Sequence, residues 1–283
     1  MKVIDQALLE KVIIERSRTS HKGDYGRLLL LGGTYPYGGA IIMAALAAVK
    51  SGAGLVTVGT DKENISALHS HLPEAMAFSL QDQQLLKEQL EKAEVVLLGP
   101  GLREDAFGEE IIKRVCDSLR KDQILIADGG ALGILAKGQL PFPSSQLILT
   151  PHQKEWERLS GIVLDHQNTE TTTRALSDFP QGTILVEKGP ATRIWQVGQP
   201  EYYQLQVGGP YQATGGMGDT LAGIIAGFAG QFDQVSLYER VVVATHLHSA
   251  IAQELAQENY LVLPTEISKA LPKTMKKISQ KGS

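Results

Sequence analysis

Cysteine is almost missing from this chain of 283 residues, which contains only Cys116. A single cysteine cannot form a disulfide bond within the chain. It lies in the segment IIKRVCDSL, where helical spacing places it among apolar neighbours. We therefore expect Cys116 to be an inert residue of the core.

The sequence also lacks a strong excess of charge of either sign. It contains 27 Lys and Arg residues against 31 Asp and Glu residues, for a net charge of -4. This balance creates no global electric field that would recruit nucleic acid or an anionic membrane surface. The expected partner is instead a small polar molecule.

A continuous apolar segment of membrane-spanning length is missing too. Residues 28–49 contain no charged side chain, but the stretch GGTYPYGG interrupts them with glycines and a proline. The amino-terminal segment MKVIDQALLEKVIIER has charges among its apolar residues and lacks the apolar region and cleavage site of a signal peptide. We expect a cytoplasmic protein that is neither secreted nor inserted in a membrane.

Short apolar runs alternate with amphipathic stretches along most of the chain. Runs such as EVVLL and QILIA are apolar on both faces, as strands covered by helices on each side must be. This pattern predicts an α/β fold with a mostly parallel central sheet. The segment KGPATRIWQVGQPEYYQL changes to β-branched and aromatic runs split by turns, which predicts antiparallel strands at one edge. Two long helices are predicted in LAGIIAGFAGQF and LYERVVVATHLHSAIAQELAQ.

No internal repeat, low-complexity tract or linker marks a domain boundary in the sequence. We therefore expect one domain over residues 1–283. It is predicted to begin with a helix over residues 1–20. The polar and basic residues from about 272 to 283 are predicted to form a frayed, solvated tail.

The segments that follow the strands are candidates for the functional site, because ligands of open parallel sheets bind beyond the carboxyl ends of the strands. The first segment, Gly32 to Ala40, has the Gly-x-x-x-x-Gly spacing of a phosphate-binding P-loop. Gly39 and Ala40 replace the Lys and Ser or Thr of that motif, which excludes a standard P-loop. The spacing does not match the Gly-x-Gly-x-x-Gly fingerprint of dehydrogenases either. The segment therefore either brings its backbone close to a ligand or forms only a tight turn between a strand and a helix.

Two more strand ends contain glycine turns. LLGPGL includes Gly101 and allows either another close backbone approach to a ligand or a sharp exit from a buried strand. LVEKGPAT places Lys188 before a Gly-Pro turn at the expected edge of the ligand crevice. There the lysine either meets phosphate as a mobile point charge or is only solvated.

The segment LTPHQKEWERL predicts a helix start directly after a strand. Thr150 is the expected cap, Pro151 suits the first helical position and Gln153 completes a capping box. His152 then lies in the first turn at the carboxyl end of the strand. It is a candidate ligand contact, although a histidine there is more often a surface residue or a cap.

The segment ATGGMGDTLAG, residues 213–223, combines a glycine cluster with an acid at the predicted start of a helix. The backbone N–H groups of Gly216, Met217 and Gly218 would be free to hold a phosphate. Phosphoryl transfer to an alcohol also needs a group that takes the hydroxyl proton, and Asp219 is placed for that role. An acid that only stabilised the helix start would contribute ~0.3 to 1 kcal/mol and would leave the glycines unexplained.

These motifs together resemble a known family. Gly-Met-Gly-Asp is similar to the Gly-x-Gly-Asp signature of ribokinase-like enzymes. With GGTYPYGGAIIMAA, GPGL, TPHQKE and EKGPAT in this order, the chain resembles the ADP-dependent NAD(P)H-hydrate dehydratases from about Gly23 to the helix after Asp219. The resemblance implies a ribokinase-like three-layer α/β/α sandwich with a mostly parallel central sheet and antiparallel edge strands.

The resemblance also implies roles for individual residues, with Asp219 as the catalytic base. The residues implied to contact the hydrated nicotinamide nucleotide are Ala40, Gly101, His152 and Asp219. The residues implied to hold the adenine nucleotide are Lys188, Gly189, Pro190, Ala191, Thr192 and Gly218. The family often has Asp-Ala-Asp-Ala-Leu where this chain has Asp128-Gly129-Gly130-Ala131-Leu132. Because the second acid is missing, Asp128 stays outside the predicted site.

The implied reaction restores NADH or NADPH from its hydrate, with ADP as co-substrate and AMP and phosphate as products. Phosphorylation turns hydroxide, a poor leaving group, into phosphate. Bound Mg²⁺ would neutralise the phosphate charge, although no ligand cluster is visible in the sequence. His246 and His248 do not supply one, because residues two apart on a helix point to different faces. The resemblance further implies a homo-oligomer, with a tetramer suggested. It also implies a functional link to a separate epimerase, because this chain is expected to be too short to contain an epimerase domain of its own.

Two other functions stay open at this point. Within the same fold, the chain could be a kinase that phosphorylates a hydroxymethylpyrimidine, a thiazole or a sugar alcohol. It could also be a non-catalytic nucleotide-binding sensor, although Asp219 argues against that, since a pure phosphate binder gains nothing from a nearby negative charge. Fold alone does not decide the substrate.

Overall fold

The computed structural model of the protein describes residues 1–143 and 145–281, and in this part of the chain nine strands form one sheet. The strands are β1 (Arg27–Leu31), β2 (Leu55–Thr60), β3 (Met76–Ser79), β4 (Val95–Leu98), β5 (Ile124–Ala127), β6 (Gln146–Leu149), β7 (Ile184–Glu187), β8 (Arg193–Gln196) and β9 (Tyr203–Gln204). Their order is β3-β2-β1-β4-β5-β6-β7-β8-β9. The first seven strands are parallel, and β8 and β9 add antiparallel pairs at one edge, as the sequence predicts.

Helices cover both faces of the sheet. In the described residues they are α1 (Gln6–Val12), α2 (Gly38–Lys50), α3 (Lys62–His71), α4 (Gln83–Lys92), α5 (Ala106–Ser118), α6 (Gly130–Leu135), α7 (Gln153–Ser160), α8 (Thr169–Ala175), α9 (Met217–Ala229), α10 (Leu237–Leu255) and α11 (Pro264–Ser279). One core joins the sheet to α1, α2, α9, α10 and α11, and the other joins it to α4, α5, α6 and α7. The result is the predicted three-layer α/β/α arrangement.

Strand β1 shows why these apolar runs form central strands. Leu28 and Leu30 face one core, while Leu29 and Leu31 face the other, and all four are at most 2% exposed. Successive side chains of a strand point to opposite faces, so a strand covered on both sides must be apolar at every position. Burying each leucine contributes about 2 kcal/mol to stability before the entropy cost is subtracted.

Helices α2 and α9 pack closely on the same face of the sheet. A Cβ atom at Gly223 of α9 would overlap the backbone of Ala44 in α2, so glycine is required for this approach. The apolar side chains of α9 from Leu221 to Ala229 are buried. The first turn of α9 is therefore fixed by a well-anchored helix.

The strand order reverses between β1 and β4. From β1 the chain proceeds outward to β2 and β3, and it then returns to β4 on the other side of β1. The connections after β1 and β4 diverge at such a point and leave a crevice beyond the carboxyl ends of the strands, which is where ligands of open α/β sheets bind.

The prediction of a helix over residues 1–20 is wrong in extent. Helix α1 covers only Gln6–Val12, with Asp5 as its cap, and the backbone is extended at Ile13. The β-branched run of Val12, Ile13 and Ile14 favours extended backbone over further helical turns. Beyond it, the guanidinium group of Arg16 lies 3.7 Å from the ring centroid of Tyr25.

The prediction of a frayed tail from about residue 272 is also wrong for the described residues. Helix α11 continues through Pro272 to Ser279, because Ile267, Leu271 and Ile278 bury their side chains in the core. Basic side chains in its last turn also interact favourably with the helix dipole. Residues 282 and 283 of the predicted tail lie outside the described residues.

Cys116 lies half-buried in α5 as a free thiol. Burial raises its pKa to about 11, so the thiol stays protonated and unreactive near neutral pH, as predicted. Over residues 1–143 and 145–281, no helix combines the length and apolar content needed to cross a membrane.

Candidate active site

The glycine cluster is the start of α9. Gly216 caps the helix in the left-handed region, with φ of 92°, and a Cβ atom there would overlap the side chain of Met43 in α2. Glycine is therefore needed at this position for its left-handed backbone conformation. The N–H groups of Met217, Gly218 and Asp219 follow, and they have no carbonyl partner within the helix. Together with the helix dipole they form an anion-binding turn.

Asp219 is the third residue of α9, within this anion-binding turn. Burial, followed by the negative charge of Asp128, raises the pKa of the Asp219 carboxyl group to about 6, while the nearby charge of Lys188 opposes this rise. A carboxylate with such a pKa is ionised at neutral pH and is more basic than an ordinary aspartate. It therefore has the properties of a general base.

Lys188, which directly follows β7, contacts side chains from after β5 and from α7 and lies beside the start of α9. Its Nζ atom donates a hydrogen bond to Asp128 Oδ1 at 2.9 Å and lies 4.0 Å from Glu155 Oε2. The same Nζ atom is 3.2 Å from the point that a Cβ atom would occupy at Gly218. Burial alone would lower the pKa of Lys188, but the Asp128 and Glu155 carboxylates outweigh it and raise the pKa. The ammonium group is thus held, fully charged, beside the anion-binding turn.

The alternative of a merely solvated lysine at this turn is wrong, while its contact with phosphate stays a prediction. The Lys188 side chain is only 18% exposed, and Asp128, its partner, is 4% exposed. Asp128 is held in turn by a 2.6 Å hydrogen bond from the Thr150 hydroxyl group. The sequence places Lys188 correctly after β7 but does not show that a carboxylate 60 residues away fixes it.

His152 is the cap of α7, which corrects the predicted capping by Thr150. Its Nδ1 atom accepts hydrogen bonds from the N–H groups of Lys154 and Glu155, and the Glu155 carboxylate accepts one from the His152 N–H. The capping box therefore joins His152 to Glu155, because the Thr150 hydroxyl group is engaged with Asp128. Burial, and then the charge of Lys188, lower the pKa of His152, so it is neutral at neutral pH.

We expect His152→Ala to raise the KM for the substrate by about tenfold with a smaller effect on kcat, because an imidazole contact in the ground state would be lost. The exchange also removes a helix cap, which contributes about 1 kcal/mol to stability. His152→Asn is the matched control, since asparagine caps helices well but has no imidazole. Steady-state kinetics should give the same raised KM for both variants. A normal KM in His152→Asn would assign the histidine to capping alone.

Ala40 and Gly101 lie together at the point where the strand order reverses. A Cβ atom at Gly101, which has a φ of 66°, would lie 3.0 Å from the Cβ atom of Ala40 and would overlap the Tyr37 carbonyl oxygen. Backbone hydrogen bonds join the two loops, from Gly33 to Pro100 and from Thr34 to Gly101. The two loops therefore form one wall of the crevice, and the first loop also has the exposed side chains of Tyr35 and Tyr37.

A cavity of about 550 Å³ has Lys188 in its lining, and neither Ala40 nor Gly101 lines it. Of the residues predicted to hold a nucleotide, it is lined by Lys188, Gly189, Pro190, Thr192 and Gly218. Its other walls come from the loop at Val207–Pro210 with the following Gln212, from α9 through Met217 and Leu221, and from α10 through Thr245, His248 and Ser249. Ala191 is exposed in the same turn but does not line the cavity. Ala40, Gly101, His152 and Asp219 lie outside the lining, so the predicted residues separate into two groups.

Sequence reasoning missed four residues of this site. Asp128 was set aside although it directly follows β5, and its position at a strand end was the available signal. The spacing of three between His152 and Glu155 was the signal for the capping box that brings in Glu155. Gln212 and His248 gave no signal, because they come from a loop and a helix that only the folded chain brings together.

The part of the chain that the structure describes contains no cluster of three His, Cys, Asp or Glu side chains that could hold a metal ion. A magnesium ion bound with a nucleotide takes most of its ligands from phosphate oxygens and water, and one or two from carboxylates. Asp128 fits this limited role, because its Oδ1 atom accepts from Thr150 and Lys188 while Oδ2 accepts no hydrogen bond from the described residues.

The fold and the site at the strand ends define a ribokinase-like α/β protein. A crystal structure from Enterococcus faecalis, described as a ribokinase-like superfamily protein, matches with a TM-score of 0.93 and 43% identity, covering 99% of this chain and 96% of that one. The family model described as NAD(P)H-hydrate dehydratase matches residues 28–273. The chain belongs to the NAD(P)H-hydrate dehydratase family.

Two further relatives support this assignment. The ADP-dependent (S)-NAD(P)H-hydrate dehydratase of Streptococcus pneumoniae is 80% identical over 280 residues, covering 99% of this chain and 97% of its own length. The crystal structure of the ADP/ATP-dependent NAD(P)H-hydrate dehydratase from Bacillus subtilis, co-crystallised with ATP and Mg²⁺, has a TM-score of 0.86 and 30% identity. The match covers 97% of each chain.

Proposed function

We propose that this chain is an ADP-dependent NAD(P)H-hydrate dehydratase, which restores NADH and NADPH from their hydrates and releases AMP and phosphate. The observation that carries the proposal is the Asp219 carboxylate, a base with a raised pKa of about 6, placed in an anion-binding turn beside the charged Lys188. Phosphoryl transfer to an alcohol requires a base that takes the hydroxyl proton and hydrogen-bond donors that hold the phosphoryl group. The 80% identity with the pneumococcal enzyme supports the substrate.

The reaction begins when Asp219 takes the proton from the hydroxyl group of the hydrate. The hydroxyl oxygen attacks the terminal phosphorus atom of ADP, and the bond from that phosphorus atom to the bridging oxygen breaks to release AMP. The lone pair of the ring nitrogen then expels phosphate from the carbon atom. Loss of a proton from the adjacent carbon restores the ring double bond, so the sum is hydrate plus ADP giving NAD(P)H, AMP, phosphate and a proton.

The transferred phosphoryl group would be held by the first turn of α9 and by Lys188. The N–H groups of Met217 and Gly218 point out of the helix start, and the Lys188 ammonium group lies beside Gly218. Fixed donors of this kind stabilise negative charge as it shifts between oxygens, without the need to reorganise solvent. Asp128 and Glu155 keep the ammonium group in place.

The two substrates would occupy the two sides of Lys188. The cavity lined by Gly189, Pro190 and Thr192 is large enough for the nucleoside of ADP, with its phosphates toward Gly218. The hydrate would lie in the crevice, against the wall formed by Ala40 and Gly101 and near His152. This arrangement brings the terminal phosphoryl group to the turn that contains Asp219.

Mg²⁺ is expected to arrive with the nucleotide, and Asp128 would supply a carboxylate oxygen to it. When bound, the ion would neutralise charge on the phosphate oxygens. The Bacillus subtilis relative was co-crystallised with ATP and Mg²⁺, which supports a nucleotide with magnesium at this site.

The test is to supply NADH hydrate with Mg²⁺ and ADP and to follow the near-ultraviolet absorbance of the reduced nicotinamide. Recovery of absorbance that requires ADP, together with formation of AMP and phosphate, would support the dehydratase. A stable phosphorylated product in the mass spectrum would assign a kinase instead. Nucleotide binding without any turnover would assign a sensor. The same assay with ATP would show which nucleotide is preferred, and the assay with NADPH hydrate would show which hydrate is preferred.

We expect kcat/KM for the hydrate to rise with pH around an apparent pKa of about 6 and to level off above it. Asp219 accepts a proton only in its ionised form, and burial raises the pKa of this group, so activity is lost as pH falls through that value. Measurements from about pH 5 to about pH 8, with protein stability followed in parallel, check this. A profile that stays flat in this range would exclude Asp219 as the base.

The finer biological setting is also a proposal. We propose that the enzyme acts in the cytoplasm as a homo-oligomer, with a tetramer expected, alongside a separate NAD(P)H-hydrate epimerase. Family resemblance supports each of these points. Light scattering of the purified protein would give the oligomeric state.

A further inference from the structure

The loop that follows β1 is held from the β2 side by two side chains that have no part in the proposed chemistry. The Gly33 carbonyl oxygen accepts hydrogen bonds from the Thr60 hydroxyl group, at 3.1 Å, and from the Asn64 side-chain amide. The same amide nitrogen also donates to Thr60 Oγ1 at 3.1 Å. Thr60 is the last residue of β2 and is fully buried, and Asn64 lies in the first turn of α3. Two donors therefore converge on one carbonyl oxygen of this loop.

The bend at Gly33 needs support from outside the loop. Gly33 has the left-handed φ of 67°, and a Cβ atom there would overlap the side chains of Ile41 and Thr60. Glycine is therefore required, but glycine also has the greatest backbone freedom to lose on ordering. The contacts of Thr60 and Asn64 with the Gly33 carbonyl oxygen restrict this freedom to one conformation.

The same loop is also tied to the segment that follows β4. The Thr34 hydroxyl group donates to the Gly101 carbonyl oxygen at 3.0 Å and accepts from the Arg103 N–H at 2.9 Å. On the β2 side, the Tyr35 N–H donates to Asp61 Oδ2 at 2.7 Å. Because β1 lies between β2 and β4 in the sheet, the loop is held from both neighbouring strands.

Asn64 also contacts the start of α2, which continues this wall of the crevice. A Cβ atom at Gly38 would overlap the Asn64 side chain. A Cβ atom at Gly39 would meet nothing within 4 Å, so the backbone there borders open space. Asn64 therefore contacts the loop near both of its ends, at Gly33 and at Gly38, and the second contact lies two residues before Ala40.

We infer that Asn64, together with Thr60, is a positioning residue for the hydrate, which holds the loop at residues 32–39 in its binding shape before the substrate arrives. A wall that is already ordered lowers the entropy cost of binding. Neither residue lines the nucleotide cavity, so the effect is confined to the hydrate. This inference rests on the proposed function, because it takes the crevice beyond β1 and β4 to be the hydrate site.

The first experiment is the kinetics of Asn64→Asp. The carboxylate has nearly the same shape as the amide, but it has no N–H group to donate and would face the Gly33 carbonyl oxygen. We expect the KM for the hydrate to rise about tenfold, with kcat changed less than about twofold. Calorimetry should give an unchanged Kd for ADP. Thr60→Val, which keeps the side-chain shape, should raise the same KM by a smaller factor because the Asn64 amide still donates to the carbonyl oxygen.

Gln234→Glu is the matched control. The Gln234 side-chain amide donates to the Val12 carbonyl oxygen at 3.0 Å, beyond the carboxyl end of α9 and so at the opposite end of that helix from Asp219. This variant also loses an amide donor to a backbone carbonyl group, but its KM for the hydrate should stay normal. A normal KM in a folded Asn64→Asp variant would overturn the inference. Equal losses of hydrate and ADP affinity would overturn it too, since they would indicate general destabilisation.

Amide hydrogen exchange tests the loop without any turnover. The N–H groups of Thr34 and Tyr35 should exchange at least about tenfold faster in Asn64→Asp than in the wild type, while those of β5 keep their wild-type rates. Unchanged exchange in the loop would overturn the inference. A wild-type protein that never restores NADH would remove the dehydratase, and faster exchange in the variant would still leave Asn64 as the residue that holds the loop. A wild-type protein that restores NADH, with a variant of normal KM and normal exchange, would do the reverse.

Discussion

Asp219→Asn is expected to lower kcat for the hydrate by about a hundredfold to ten-thousandfold while ADP binding remains measurable. Asparagine has nearly the same shape as aspartate but cannot accept the hydroxyl proton. The N–H groups of the first turn of α9 and the Lys188 ammonium group stay in place, so the anion-binding turn survives. Single-turnover measurement of NADH recovery, with calorimetry for ADP, separates the two effects.

Glu109→Gln is a suitable control for this exchange. Glu109 is an acid in the first turn of α5, where it pairs with Lys137 on the surface, 2.5 Å away. Its exchange also removes a negative charge from a helix start but lies far from the proposed chemistry, so turnover should stay normal. Near-normal turnover in Asp219→Asn would reduce Asp219 to a helix-stabilising acid.

Lys188→Met is expected to weaken ADP binding by at least about tenfold and to lower the free energy of unfolding by about 3 kcal/mol. The exchange removes the charge that would meet the phosphates. It also leaves the Asp128 carboxylate, which is 4% exposed, without its cation. Calorimetry with ADP and denaturant unfolding without nucleotide measure the two losses independently.

Two further variants show whether these losses have the proposed causes. Lys113→Met breaks an exposed ion pair with Asp117 and should change stability by less than about 1 kcal/mol. Adding Asp128→Asn to Lys188→Met removes the uncompensated carboxylate, so part of the stability should return while ADP binding stays weak. Normal ADP affinity in Lys188→Met would contradict the assignment of the ammonium group to the nucleotide.

The sequence predicts the central sheet well for a physical reason. Strands buried on both faces need apolar side chains at every position, so runs such as those of β1, β4 and β5 stand out in the sequence. The short edge strand β3, with Met76 half exposed, lacks this pattern and was not predicted. Helix α11 was not predicted, because its buried residues are spaced by whole turns among lysines and a proline.

The candidate site was predictable where the backbone defines it and hidden where side chains from distant segments define it. Glycine clusters and strand ends marked the segments of Ala40, Gly101 and Gly218 as candidates, and the family resemblance implied their roles. The pair of Lys188 and Asp128 spans 60 residues, and the contact of Gln212 with His248 spans 36. Such pairs depend on tertiary packing, which no local pattern in one sequence records.

The close packing of α9 on α2 links the chemistry of this protein to its folding. Because Gly216 abuts Met43 and Gly223 abuts Ala44, the first turn of α9 is fixed to a helix that packs closely on α2 in the protein interior. We therefore expect the geometry of this turn to persist on warming until the packing of α9 on α2 is lost. Substitution of the small residues between α2 and α9 would then change both the thermal stability of the protein and the position of the first turn of α9.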